Sequence, residues 1–213
     1  MKHPPVEEAL WHALRQPLPF VIRPLSDGEA LAIAEFAAWA GPAAARIGLT
    51  QYPDALAFLN GLIMPTLAIL SPEVAPHLSS PVLDLGTGSG AVGITVALVR
   101  PDLEVTLADR RSRVVQFVDL CRARLALPNC CAERTDLSDT NSLSGRRFGS
   151  VLVRAFGPVE PALGTASGWL APGGVVACWQ RPPVTTSVHG LRLETTVATS
   201  VAELQLTVYS QSG

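Results

Sequence analysis

Val82-Leu83-Asp84-Leu85-Gly86-Thr87-Gly88-Ser89-Gly90-Ala91-Val92-Gly93 is the segment that decides how the chain is read. An apolar strand pattern, Val82 to Leu85, runs into glycines at alternate positions, and Ala91 to Val99 continues as an apolar helix. Gly88 to Gly93 satisfies GxGxxG, a turn whose backbone N–H groups can approach a ligand because no Cβ intervenes. Such turns are common, so the pattern alone admits a dinucleotide, another nucleoside or a bare strand-to-helix turn. The carboxylate inside the strand narrows the choice. Asp84 would repel a pyrophosphate, whereas it suits the cationic amino group of a methionine moiety, directly or through water.

Downstream, Glu104 to Ala108 alternates as a second strand ending at Asp109, where an acid can accept both hydroxyls of a ribose. Ser112 to Leu127 is amphipathic, with Val114, Phe117, Leu120, Cys121 and Leu125 along one face. A short strand near Cys130-Cys131 leads into a polar loop that carries Thr135 and Asp136. Ser150 to Arg154 reads as a fourth strand and Glu160 to Leu170 as a helix. Ala171-Pro172-Gly173-Gly174 then turns into the strand Val175 to Trp179, and Leu191 to Val197 with Glu203 to Tyr209 suggests an antiparallel pair. These repeated units predict an α/β, Rossmann-like fold. Its twisted sheet is mostly parallel, with right-handed crossovers and an antiparallel C-terminal strand.

Upstream the pattern is helical. Val6 to Arg15 forms one candidate, ended by Pro17 and Pro19. Ser26 with Glu29 makes a capping box for a helix to about Ala40, burying Leu31, Ala34 and Ala38 and broken by Gly41-Pro42. Asp54 caps a further helix reaching Leu70, kinked or divided at Pro65. Residues 1–80 are therefore expected as a helical extension and 81–213 as the Rossmann-like binding domain.

The 213 residues suit one α/β domain with such an extension, and 48% hydrophobic residues can fill its core. No apolar run reaches the ~18 residues of a membrane span, and the N-terminus lacks a charged-then-apolar leader, so a cytoplasmic protein is expected. Cys121, Cys130, Cys131 and Cys178 form no CxxC pair and the histidines show no metal spacing, so no metal is expected. A net charge of −2 gives no global basic field. Arg110, Arg111, Arg113, Arg122 and Arg124, with Arg146-Arg147, read first as a solvated face and second as phosphate contacts. Trp39, Trp169 and Trp179 read as core.

Taken together, Asp84 to Gly90, Asp109, Val153-Arg154-Ala155-Phe156 and Leu170 to Gly174 resemble a class I methyltransferase. More closely, they resemble the bacterial small-subunit ribosomal RNA guanine-N7 methyltransferases (RsmG, also called GidB). The likeness spans about Leu25 to Gln180 and is most specific from Asp84 through Gly93-Ile94 and Val99-Arg100-Pro101 to Asp109. Ile47-Gly48-Leu49-Thr50 resembles the step that closes the family's helical extension.

The resemblance implies S-adenosylmethionine as cofactor and 16S rRNA, in the small ribosomal subunit, as partner. It implies that Gly86 and Ala91 contact the cofactor, that Thr135 and Asp136 form the family's small-residue-plus-acid pair, and that Arg154 is its cofactor-side arginine. Asp84, Gly88, Gly90, Asp109 and Arg110 complete the expected cofactor set, Arg110 by stacking on adenine. In that family the nucleophile is the lone pair of guanine N7, which carries no proton, so no general base is expected. The chain departs from the family pattern at Ala91-Val92, where Phe-Pro or Leu-Pro is usual. It departs again at Leu62-Ile63-Met64-Pro65-Thr66, which replaces a His-x-x-Asp-Ser stretch. A small-molecule methyl acceptor and a non-catalytic interaction module stay open as alternatives.

Overall fold

The computed structural model describes residues 5–16 and 23–211. Its N-terminal part is helical: α1 (Pro5–Leu14), α2 (Asp27–Arg46) and the short α3 (Ala55–Phe58) and α4 (Met64–Thr66). Pro17 and Pro19, the expected terminators of the first helix, lie outside the described residues. The capping box at α2 forms as expected: the Ser26 hydroxyl accepts from the Glu29 backbone N–H, and the Glu29 carboxylate accepts from Ser26 N–H at 2.7 Å.

Gly41-Pro42 does not break α2, contrary to the expectation. The helix runs through both residues to Arg46. Its small-residue face explains this, because Ala37, Ala40, Gly41 and Ala44 are buried and a Cβ on Gly41 would lie 2.9 Å from that of Phe58. Close packing on α3 thus offsets the hydrogen bond that Pro42 cannot donate. The true stop is Gly48, at φ 70°, where Gly48 N–H reaches Ala45 O (3.1 Å) and Leu49 N–H reaches Ala44 O (2.8 Å), the paired closure that a left-handed glycine permits. Leu31, expected inside, is 39% exposed, and Ala38 is only half-buried; Ala30, Ile33, Ala34 and Ala37 form the inward stripe instead.

Asp54 caps α3 by accepting from Ala57 N–H at 2.8 Å. Beyond α3 the chain passes through a π-helical turn (Leu59–Ile63), α4 and a 3₁₀ turn (Leu67–Leu70). Pro65 sits where this path changes character, the division its missing N–H predicts.

The second part alternates: β1 (Val82–Leu85), α5 (Ala91–Val99), β2 (Val105–Asp109), α6 (Ser112–Arg124), β3 (Cys130–Arg134), β4 (Phe148–Arg154), α7 (Val159–Ser167), β5 (Leu170–Gln180), then β6 (Ser187–Val188), β7 (Leu191–Ala198) and β8 (Gln205–Gln211). All eight strands join one sheet in the order β3-β2-β1-β4-β5-β8-β7-β6. The first five are parallel, and β8, β7 and β6 add antiparallel.

Side chains alternate across the sheet with the period of two that a pleat imposes. Val82, Leu107, Leu152, Val175 and Ala177 pack with α5 and the N-terminal helices. Leu83, Leu85, Val151, Val153, Val176 and Cys178 face the opposite layer, with Trp169 and the α7 residues Ala162 and Leu163. The extension therefore shares its core with one face of the sheet. Trp169 and Trp179 are buried in these layers, while Trp39 is half-buried, stacked on Phe117 at 6.0 Å with the Arg124 guanidinium over its ring. Leu120 of α6, expected on the buried face, is 56% exposed, because Val114, Phe117, Val118 and Cys121 fill the contact. No helix among the described residues is long and apolar enough to cross a membrane.

Candidate functional site

Strand order reverses between β1 and β4, so a crevice opens beyond the carboxyl ends of these strands, where open α/β sheets bind ligands. The glycine turn fills the floor. Gly86, Gly88 and Gly90 have φ of 75°, 56° and 77°, and Gly90 starts α5 in the left-handed conformation, just ahead of buried Ala91. A Cβ on Gly86 would lie 2.4 Å from the Phe156 ring, and one on Gly93 would lie 2.7 Å from Asp84 Oδ2.

Asp84 is buried behind this turn and does not line the crevice. Its Oδ2 accepts from the Thr87 hydroxyl at 2.6 Å and from Gly93 N–H at 3.0 Å, so it ties strand, turn and helix together. Burial pushes its pKa up to about 6, against the opposing pull of these two hydrogen bonds. A carboxylate held ionised at neutral pH in this setting destabilises the fold, a cost typical of groups kept for function.

A cleft of about 500 Å³ stands above the turn, lined by Gly86, Asp109, Arg110, Asp136 and Phe156, among others. Asp109, at the end of β2, is buried yet open to it. Burial alone would raise its pKa, but the hydrogen bonds and charge of Arg111 hold it below the usual carboxylate range. Asp136 sits at the rim, its Oδ1 accepting from Ser138 N–H (3.0 Å) and the Ser138 hydroxyl (2.7 Å). Thr135 is buried beneath, its hydroxyl bonded to that of Ser142, and with Arg110, Arg134 and Asp136 it lines an adjoining recess.

Arg154 goes elsewhere than the sequence predicts. Leu152 pairs with Asp84, so Arg154 projects from the sheet face that carries the extension. Its Nη1 donates to Leu62 O at 2.7 Å and its Nη2 to Gly61 O. Gly61 O is the acceptor that Pro65, lacking an N–H, leaves without its helical donor. Trp179, the register partner of Arg154 on β5, donates to Pro65 O at 3.0 Å, so two neighbouring side chains tether the same segment. Burial lowers the Arg154 pKa to about 10, leaving it charged at neutral pH. It is not among the cleft's lining residues.

Of the residues predicted from sequence, Gly86, Asp109, Arg110 and Asp136 meet at the cleft. Thr135 lies in the adjoining recess, Gly88, Gly90, Ala91 and Asp84 support from below, and Arg154 is tied to the extension. Arg111, Leu137, Ser138, Ala155 and Gly157 also line the cleft and were not foreseen as cofactor residues. Ala155 has φ 53°, a strained conformation for alanine, wedged between tethered Arg154 and the Phe156 ring over Gly86. Arg111 had one legible signal, its position two residues after the strand-ending acid.

Comparison with known proteins decides the family. The family model described as "GidB: rRNA small subunit methyltransferase G" matches residues 33–185. The chain belongs to this family. Among GidB relatives, "Ribosomal RNA small subunit methyltransferase G" of Burkholderia ambifaria (strain AMMD) is 31% identical over 154 residues, covering 71% of this chain and 67% of that protein. The protein of the same name from Leptothrix cholodnii is 28% identical over 158 residues, covering 73% and 70% respectively. Solved structures share the fold of this chain: TnmH has TM-score 0.57 at 19% identity, covering 85% of this chain and 58% of its own. The putative methyltransferase yhhF from Escherichia coli has TM-score 0.50 at 21% identity, covering 65% and 80%. Of Leu62 to Thr66, one of the stretches expected to depart from the family pattern, Leu62 is half-buried and Ile63 to Thr66 are buried, and none lines the cleft.

Proposed function

We infer that this chain is an S-adenosylmethionine-dependent methyltransferase acting on 16S rRNA in the small ribosomal subunit, with guanine N7 as acceptor. The observation that supports this most is Asp109 at the end of β2, beside the glycine turn and open to a cleft of about 500 Å³. That combination fits a nucleoside: an acid for the ribose diol, a Cβ-free floor, and space within the range of small-molecule sites. When bound, S-adenosylmethionine supplies a sulfonium-activated methyl group.

In this reading Asp109 accepts the ribose hydroxyls, Arg110 and Asp136 border the adenine, and Asp84 braces the turn beneath the methionine end. Phe156, held over Gly86, walls the reacting side. Guanine N7 brings its own lone pair and no proton, so orientation and proximity carry the catalysis and no general base is needed. Residues 81–213 supply the cofactor site, and the described part of 1–80 packs behind the sheet in the core it shares with α5.

Isothermal titration with S-adenosylhomocysteine tests the cofactor half; absence of heat removes it. Transfer of labelled methyl from S-adenosylmethionine to small ribosomal subunits, with mass spectrometry of the labelled base, tests the acceptor. Label in 7-methylguanine is the expected result. Label in a metabolite pool instead would replace RNA by a small-molecule acceptor, and cofactor binding without turnover would point to an interaction module.

A further inference from the structure

We propose that Arg111 is a displaceable cation that covers Asp109, moves off when the cofactor's ribose arrives, and then binds a phosphate of the RNA substrate. This deepens the function proposed above and rests on it. The argument begins with the capacity of one carboxylate. Its two oxygens offer about four acceptor sites. Asp109 already takes Arg111 N–H (3.0 Å) and Arg111 Nε (3.0 Å) on Oδ1, with Arg111 Nη2 (3.0 Å) and Gly88 N–H (3.4 Å) on Oδ2. A ribose diol, which would bring two more donors, cannot be added without removing others.

The two backbone donors belong to the glycine turn and to the start of α6 and are fixed. The guanidinium is the one that can leave, since its side chain is 45% exposed and hangs on a rotatable stem. Where it goes is set by its surroundings. Arg110 and Arg134 line the same rim, and among the described residues neither is in a salt bridge. By contrast Arg122, Arg124 and Arg146 are matched to Asp119, Glu35 and Glu133. A released Arg111 therefore joins Arg110 and Arg134 at the mouth of the cleft, where these arginines outnumber the one rim acid, Asp136, a net positive charge that fits a polyanion.

Two consequences can be measured. Arg111 opposes cofactor binding, because the fork must break first, and cofactor binding favours RNA binding, because it frees a cation. Linkage makes the second effect reciprocal. Titration of S-adenosylhomocysteine into wild type and Arg111→Leu should show tighter binding by the variant, by roughly three- to tenfold, a modest coupling. Affinity for deproteinised small-subunit RNA, measured with and without saturating S-adenosylhomocysteine, should rise severalfold with the ligand in wild type and stay level in Arg111→Leu.

Equal or weaker binding of S-adenosylhomocysteine by Arg111→Leu overturns the covering role. Wild-type RNA affinity indifferent to the ligand overturns the transfer to phosphate. Absence of ligand binding by both proteins overturns the cofactor reading together with this inference, whereas binding by both with equal affinity overturns this inference alone.

Discussion

Asp109 on β2 and Arg154 on β4 stand at the same level on either side of Gly86. Each lies two residues beyond a leucine, Leu107 or Leu152, that pairs with Asp84. Both are charged, and both end parallel strands at the ligand edge of one sheet. Yet one meets a cleft and the other is consumed by the protein itself. The difference lies in what the rest of the chain places above them. Over Arg154 runs a segment in which Pro65 strips a carbonyl of its donor, and the guanidinium fills that vacancy. Over Asp109, among the described residues, the one charged side chain bonded to it is that of Arg111, from the adjacent loop. A charge at a sheet edge points to a ligand only where no neighbouring backbone has prior need of it.

The sharpest way to break this contrast is Asp109→Ala. Loss of two charge-assisted hydrogen bonds should cut S-adenosylhomocysteine affinity by about 2–3 kcal/mol, roughly 30- to 150-fold, with some loss of stability as well, because Arg111 and Gly88 lose their acceptor. Titration calorimetry reads it, and unchanged affinity would place the ribose elsewhere. On the other side, Arg154→Met should act on the fold. It removes a charge-assisted donor from each of the Gly61 and Leu62 carbonyls, which keep the Tyr52 hydroxyl (3.4 Å) and the Thr66 hydroxyl (2.8 Å), so denaturant unfolding should lose about 1–2 kcal/mol while cofactor affinity changes little. A large loss of affinity with intact stability would make Arg154 a ligand residue after all.

Asp84 divides the two behaviours in one residue. Its pKa is about 6 in the fold against 3.8 ordinarily, so ionising it opposes folding. Its contribution to stability is complete below pH ~4 and lost as pH rises through about 6, amounting to about 2–3 kcal/mol above that. Asp84→Asn should remove this pH dependence, equal or exceed wild-type stability at pH 7.5, and bind S-adenosylhomocysteine more weakly. A variant less stable than wild type at pH 7.5 would show that Thr87 and Gly93 require the full charge. The smallest effect is expected at Leu120, on the exposed side of α6. There Leu120→Gln should shift unfolding by no more than about 0.5 kcal/mol, and a larger loss would reveal a buried role.

The strand–helix alternation, the capping box at Ser26, the cap at Asp54 and the glycine turn were all legible, because each is written in residues within a few positions of one another. What failed depended on distant partners. The passage of α2 through Gly41-Pro42 rests on Phe58, and the turn of Leu31 and Leu120 to solvent rests on which neighbours reach the core first. Arg154 was misdirected for the same reason, since its partners lie more than ninety residues away. Arg111 differs: its partner is only two residues off, a local signal that the surrounding basic cluster masked.

The sheet also orders events during synthesis. β8 lies between β5 and β7, so β7 and β6 reach the sheet only through a strand made after them. A nascent chain that has emerged as far as Ala198 can pair the first five strands and close the cofactor edge, but the β6–β7 hairpin has nothing to dock on. The edge of β5, a row of unpaired N–H and C=O groups, stays bare until Gln205 to Gln211 pairs along it and brings the hairpin into the sheet.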